Sequence, residues 1–237
     1  MNTLAIDTSS ETLGLCLGVD QDIFTIQLEI GLQHSALLSP WVARLLHEVT
    51  LSPADLDLVV CAIGPGSFTG LRIGLATAKG LSLGARCALV GIPSLDSLAA
   101  RFAFYCGVVV PVIDARKGRY YTALYRAGRR VSEYQDIDLD ALAASLHREA
   151  RGAESFLITG PEGARTSQLL QEAHQMSTVI ADGGYCASDP YSLMKLGIQR
   201  FDESGEDGET LAPVYVRKSE AEIKLGAGDK LTFLTPP

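Results

Sequence analysis

Two stretches of the chain share one pattern of apolar and polar positions. Residues 4–17 predict a strand that ends at Ile6-Asp7, a polar turn, and a second strand in which apolar residues alternate with other residues. Residues 110–124 predict the same hairpin, and its first strand ends at Ile113-Asp114. The two Ile-Asp pairs lie 107 residues apart in a chain of 237, which predicts two similar halves. Chance similarity between two short hairpins is the alternative.

Helical and strand patterns then alternate in each half, which favours an α/β fold. In the first half they predict strands over residues 57–63 and 88–92 and helices over residues 35–49 and 94–105. Between the two strands they predict a further helix, which ends at about residue 83. In the second half they predict helices over 138–150, 163–174 and 190–199, a strand over 156–159, a loop over 202–209, a last strand over 214–216 and a final helix over 219–225.

The segment from residue 64 to residue 80 opens with a Gly-Pro-Gly loop and continues as a helix. Gly70, Gly74 and Ala78 are spaced four residues apart and therefore share one helical face. Because each helical glycine costs up to about 1 kcal/mol relative to alanine, this face predicts the close approach of another backbone. That backbone belongs either to a second chain or to the same domain, and the spacing alone favours the same domain.

Composition narrows the class of protein. Hydrophobic residues make up 47% of the chain and charged residues 20%, as in folded domains with a buried core. The net charge is −8, and the first hundred residues hold only four Lys and Arg, which excludes a broad basic surface for nucleic acid in that half. The later basic run at Arg126–Arg130 is interpreted as the solvated end of a hairpin. No apolar run is long enough to span a membrane, so we expect a soluble, cytoplasmic protein without a membrane partner.

The tip of the first hairpin carries candidate nucleotide ligands, Asp7, Thr8 and Ser9. In phosphate-binding hairpins, hydroxyl and backbone groups face the phosphate, and an aspartate holds magnesium through water. No glycine lies between Asp7 and Gly14 to let a phosphate approach, so an ordinary polar turn is favoured and a nucleotide site is the alternative.

No pattern identifies a catalytic residue or a metal site. His34 opens a helix, but Leu38 stands four residues later, where a two-histidine metal site needs its second ligand. The five cysteines also lack metal-ligand spacing. Asp114 and Arg116 form either an active pair or, as the favoured interpretation, a weak ion pair within the second hairpin.

Several segments together resemble one family. They are Ile6-Asp7-Thr8-Ser9, Gln33-His34-Ser35, the run from Gly64 to Gly74, Ile113-Asp114-Ala115-Arg116 and, more weakly, Pro213-Val214-Tyr215-Val216-Arg217. The chain is similar to the bacterial TsaB (YeaZ) proteins. This resemblance implies a duplicated actin/Hsp70-like (ASKHA, RNase H-like) α/β fold. It also implies a partner-binding lobe over residues 1–105 and a second lobe over residues 106–237, whose final helix can pack back on the first lobe.

The resemblance also implies a function in the machinery that places threonylcarbamoyl on the adenosine beside the tRNA anticodon. A related transferase, TsaD, performs the chemistry there, TsaB pairs with it and stabilises it, and the ATPase TsaE joins them. We therefore expect a non-catalytic scaffold that forms a homodimer in isolation, contacts tRNA only indirectly and holds no cofactor tightly, with ATP or ADP at the complex interface. The alternatives are an ATP-dependent small-molecule kinase of the same fold and a metallopeptidase-like protein.

The pairing surface implied by the resemblance lies on the helices over residues 35–49 and 69–83. The predicted interface residues are Leu38, Trp41, Leu45, Gly70, Ile73, Gly74 and Thr77. On this basis Gly74→Leu is expected to block pairing while the monomer stays folded.

Overall fold

The computed structural model describes residues 1–31, 33–149, 155–182 and 188–216. The first half of the chain forms a five-stranded sheet in the order β3-β2-β1-β4-β5. Its strands are β1 (Thr3–Asp7), β2 (Thr12–Val19), β3 (Asp22–Glu29), β4 (Leu58–Ala62) and β5 (Ala88–Ile92). The strands β1, β2 and β3 form an antiparallel meander, and β4 and β5 continue the sheet parallel to β1.

The second sheet repeats this plan. Its main path runs β10-β7-β6-β11-β12, with a small β8–β9 hairpin attached to β6. Its strands are β6 (Val108–Asp114), β7 (Arg119–Thr122), β8 (Tyr125–Arg126), β9 (Arg129–Arg130), β10 (Gln135–Asp138), β11 (Phe156–Thr159) and β12 (Val179–Ala181). In both sheets an antiparallel hairpin is followed by two parallel strands, β4 and β5 in the first and β11 and β12 in the second. The predicted duplicated α/β fold is confirmed.

Helices cover both faces of the first sheet. The α-helices of the described chain are α1 (His34–Glu48), α2 (Phe68–Ala85), α3 (Ser94–Ala100), α4 (Leu139–Glu149), α5 (Gly163–His174) and α6 (Pro190–Ser204), of which α1, α2 and α6 pack on the first sheet. One face of the sheet packs on leucines of α1 and α2. The other face packs on α6, where Gly197 lies so close to Val60 that a Cβ would overlap it. A helix from the second half of the sequence therefore completes the core of the first sheet.

Several predicted elements differ from the structure. The strand β3 was not predicted, because this edge strand is largely exposed and only some of its side chains reach the core. The helix predicted over 94–105 ends at Ala100, after which backbone turns carry the chain to β6. Residues 214–216 do not form a strand, although the Val214 amide donates to the Ile63 carbonyl. The final helix predicted over 219–225 lies outside the described residues.

Candidate functional site

The tip of the first hairpin is closed by its own side chains. Asp7 is only 3% exposed. Its Oδ1 accepts hydrogen bonds from the Ser9 backbone amide at 2.9 Å and from Ser9 Oγ at 2.7 Å, and its Oδ2 accepts from Ser188 Oγ at 2.7 Å. The carboxylate therefore already has three donors from within the chain, an arrangement that agrees with a structural turn.

The N-terminus of α2 packs directly on this tip. The Ser67 amide donates to the Ser9 carbonyl at 2.7 Å, and Thr8 Oγ1 donates to the Gly70 carbonyl at 2.8 Å. A Cβ on Gly70 would overlap the Thr8 carbonyl oxygen, and a Cβ on Gly74 would overlap Thr8 Oγ1. The predicted small-residue face therefore receives the chain's own first hairpin, and the prediction that Gly70 and Gly74 receive a second chain is wrong.

The other predicted interface residues divide into two groups. Leu38 and Leu45 are 1% and 4% exposed and belong to the core of the first sheet, so the prediction that they contact a partner is also wrong. Trp41, Ile73 and Thr77 are half-buried, with part of each side chain at the surface. The error has one cause: helical spacing identifies a face but does not say what packs on it.

The outward surfaces of α1 and α2 present a different set of residues. Ala76 and Gly80 are exposed on α2, and a Cβ on Gly80 would meet no atom within 4 Å. On α1, the Arg44 guanidinium lies over the Trp41 ring, 5.0 Å from its centroid. We define the outer face as Trp41, Ile73, Ala76, Thr77 and Gly80. Sequence reasoning missed Ala76 and Gly80, although they repeat the four-residue spacing of the buried glycines.

An aromatic and arginine cluster lies near the start of α2. Phe68 and Tyr215 are 42% and 45% exposed, and their ring centroids lie 5.4 Å apart. Arg72 lies over the Phe68 ring at 3.8 Å and donates from Nε to the Tyr215 hydroxyl at 3.3 Å. Because Arg72 precedes Ala76 by one helical turn, the cluster continues the exposed side of α2.

His34 joins α1 to the first hairpin. Its ring is buried, and Nε2 lies 2.8 Å from the Ser10 carbonyl oxygen, the geometry of an N–H donor bond. Leu38, one turn later, is a core residue that cannot ligate a metal. Within the described ranges, no three His, Cys, Asp or Glu side chains come together as a metal-binding group.

The tip of the second hairpin is open and charged. Asp114 Oδ1 accepts from the Arg116 amide at 2.7 Å, and Asp114 Oδ2 lies 3.6 Å from Arg116 Nη1, so the predicted hairpin ion pair is present. Glu162, at the start of α5, faces this tip. Burial and then the charge of Asp114 raise the pKa of Glu162, while Arg165 lowers it.

Comparisons with known proteins agree with this architecture. Residues 29–225 match the family model of TsaD, described as tRNA N6-adenosine threonylcarbamoyltransferase. The chain is 31% identical over 226 residues to the tRNA threonylcarbamoyladenosine biosynthesis protein TsaB of Bacillus subtilis, covering 94% of this chain and 97% of that protein. The chain belongs to this family, as a TsaB (YeaZ) member.

A second relative agrees with the TsaB assignment, and a solved structure agrees with the fold. The TsaB protein of Escherichia coli is 28% identical, with 95% of this chain and 98% of that protein covered. The solved structure of YeaZ from Pseudomonas aeruginosa has a TM-score of 0.74 and 22% identity, with 90% of this chain and 99% of that chain covered. The YeaZ structure supports the fold over the 90% of this chain that it covers. Among the described helices of this TsaB-family chain, none combines the length and apolar character needed to cross a membrane.

Proposed function

We propose that the chain takes part in tRNA threonylcarbamoyladenosine biosynthesis as the non-catalytic partner of a TsaD-type transferase. Its curated relatives are named for this pathway. The observation that carries the pairing is the outer face, where a half-buried tryptophan of α1 and small residues of the neighbouring helix α2 reach the surface. Tryptophan is enriched among the residues that contribute most of the binding energy at protein interfaces.

The geometry of the outer face suits a helix from a partner. With no side chain at Gly80 and only a methyl group at Ala76, a second backbone can approach α2 closely and cover Trp41 and Ile73. The Phe68, Arg72 and Tyr215 cluster would extend the contact, since Tyr and Arg are frequent at interface centres. A homodimer in isolation would use the same face, so the transferase should compete with it.

Two observations support a role without catalysis. The Asp7 carboxylate accepts hydrogen bonds from Ser9 and Ser188. In a nucleotide-binding relative, an aspartate at this position would hold magnesium through water. Leu38 replaces the second histidine that a metal site on α1 would need. Nucleotide and a TsaE-type ATPase would then bind to the assembled complex.

Gly80→Leu tests the pairing. The leucine would project from an exposed position with no neighbour, so the monomer should keep its stability while the pairing with a TsaD-type transferase from the same cell weakens at least about tenfold. Ala173→Leu, which adds leucine to an exposed position of α5, is the matched control and should pair normally. Titration calorimetry and size-exclusion chromatography measure both outcomes.

Two results would overturn the proposal. The outer face is not the pairing surface if Gly80→Leu forms the complex as tightly as the wild type. The chain is not a non-catalytic partner if the purified chain alone transfers threonylcarbamoyl to tRNA.

A further inference from the structure

Three segments of the chain meet beside the second sheet and bring arginines together. A Cβ on Gly128, in the β8–β9 turn, would lie 2.9 Å from the Ala103 Cβ, so this turn packs on the segment that follows α3. Arg126 Nη2 donates to the Glu149 carbonyl at 3.2 Å, which brings the end of α4 to the same place. We define the arginine patch as Arg101, Phe104, Arg126, Arg129, Arg130 and Arg148.

The patch is basic in a chain whose net charge is −8. Two glutamates pair with it: Glu149 lies 3.7 Å from Arg126, and Glu133 lies 3.6 Å from Arg130. Arg129 and Arg148 are exposed, and neither side chain makes a hydrogen bond or ion pair within the part of the chain that the structure describes. Arg129 and Arg148 therefore contribute positive charge that no acidic side chain of the described residues neutralises, which favours an anionic ligand.

One arginine is held in place by its neighbours. The Arg130 guanidinium lies 4.1 Å from the centroid of the Tyr134 ring, and its Nη1 donates to the Ser132 carbonyl at 3.1 Å. The Tyr134 hydroxyl in turn donates to the Asp96 carboxylate at 2.9 Å. These contacts hold the Arg130 side chain in one conformation, so it loses less conformational entropy when a ligand binds.

Phe104 adds an exposed aromatic surface. Its side chain is 81% exposed, more than any other large hydrophobic side chain in the described chain. It follows Ala103, the residue on which the β8–β9 turn packs, and its ring lies 6.5 Å from the Phe102 ring, over which the Arg101 guanidinium lies. An exposed ring together with exposed arginines is the combination that binds unpaired nucleotides, since arginine contacts phosphates and the ring stacks on a base.

We propose that the arginine patch binds tRNA directly, with arginines on backbone phosphates and Phe104 against an unstacked base. The choice of tRNA rests on the proposed function, whereas the RNA chemistry rests on the patch itself. The planar guanidinium of arginine matches phosphate geometry and can contact a phosphate through two donors. This proposal replaces both the solvated-hairpin interpretation of Arg126–Arg130 and the expectation that tRNA is contacted only indirectly.

The test measures binding of the full chain to a fluorescent, unmodified tRNA transcript by anisotropy across a salt series. Arg129→Ala with Arg148→Ala removes two side chains that have no partner in the described structure, so folding should be unchanged. This variant should bind about tenfold more weakly, and the slope of log affinity against log salt should fall by about 1.5. Arg165→Ala with Lys195→Ala, two exposed basic residues elsewhere, is the charge-matched control and should stay within about twofold of the wild type.

Phe104→Ala separates stacking from charge. It should weaken binding by about fivefold or more while the salt slope stays unchanged, because no phosphate contact is lost. If Phe104→Ala binds tRNA as tightly as the wild type does, and poly-L-glutamate displaces the tRNA, then the patch binds an acidic protein surface and the RNA proposal is wrong. Equal losses in the arginine variant and its control would indicate general electrostatic attraction and would also overturn it.

The same measurements on the complex with the transferase separate this proposal from the proposed function. The patch variants should still pair with the transferase, because the outer face is unchanged. Failure of the wild-type chain to pair would overturn the proposed function, while tRNA binding by the chain alone would still report on the patch. Absence of patch-dependent binding in both the chain and the complex would overturn the inference.

Discussion

The two hairpin tips begin from the same Ile-Asp motif and end in opposite environments. At the first tip, Asp7 is buried and its carboxylate accepts three hydrogen bonds from hydroxyl and amide donors. At the second, Asp114 has 43% of its side chain exposed and shares a loose ion pair with Arg116. The motif therefore predicts where a strand ends, but it does not predict whether the aspartate that follows is a structural anchor or a surface charge.

The difference comes from the helix that packs on each tip. Gly66 and Gly70 let the α2 segment contact the backbone of Ser9 and Thr8 so closely that any Cβ would collide. At the second tip, the start of α5 presents Glu162, a charged side chain that is repelled by Asp114. Duplication preserved the strands and the topology, while the contacts between helix and hairpin diverged.

The largest expected effect comes from breaking the first contact. Gly70→Ala should lower the free energy of unfolding by about 3 kcal/mol, because its Cβ would meet the Thr8 carbonyl, a backbone atom that cannot rotate away. Gly80→Ala in the same helix is the control. It adds the same methyl group in open space and should raise stability by about 0.5–1 kcal/mol. Urea denaturation measures both, and a Gly70→Ala variant as stable as the wild type would show that the hairpin can shift.

A smaller effect should come from removing the two aspartates in parallel. Asp7→Ala should lower the free energy of unfolding by about 2 kcal/mol, because three buried donors lose their acceptor while the cost of burying a charge is relieved. Asp114→Ala should cost about 0.5 kcal/mol, as expected for an exposed pair. Thermal or urea unfolding distinguishes them, and equal losses would contradict the contrast between the two tips.

These contrasts show how far the sequence could predict the molecule. Apolar periodicity and the repeated hairpin were enough for two similar α/β halves, because strand and helix periods are local properties. The small-residue face was also predicted correctly as a place of close approach. Its occupant was not predicted, because Thr8 lies more than sixty residues away along the chain and only the fold brings it to Gly70.

The same limit applies to the rest of the site. The hydroxyl that completes the environment of Asp7 comes from Ser188, which lies 181 residues further along the chain. Leu38 and Leu45 satisfy the same helical pattern whether they face a partner or the core. Only their burial in the structure shows that they face the core. Gly128 and Ala103 belong to separate segments, and only the packing of the β8–β9 turn brings them together.

The smallest expected effect concerns the charge that faces the second tip. Burial, and then Asp114, raise the pKa of Glu162, so folding favours the protonated carboxyl. The stability that this group contributes is therefore present below the pKa of the glutamate in the unfolded chain and is lost as the pH rises through the higher folded value. Glu162→Gln removes this dependence, so the variant should be slightly more stable than the wild type at pH 7 and indistinguishable from it below about pH 4. Urea midpoints at the two pH values measure the difference.

A double-mutant cycle assigns that small effect to the second tip. If part of the raised pKa comes from Asp114, the gain from Glu162→Gln at pH 7 should shrink in an Asp114→Asn background and not vanish, because burial of Glu162 persists. An unchanged gain would mean that Asp114 does not act on Glu162. The two tips would then differ only in how deeply their acidic side chains are buried, since Asp7 is buried and Glu162 is half-buried.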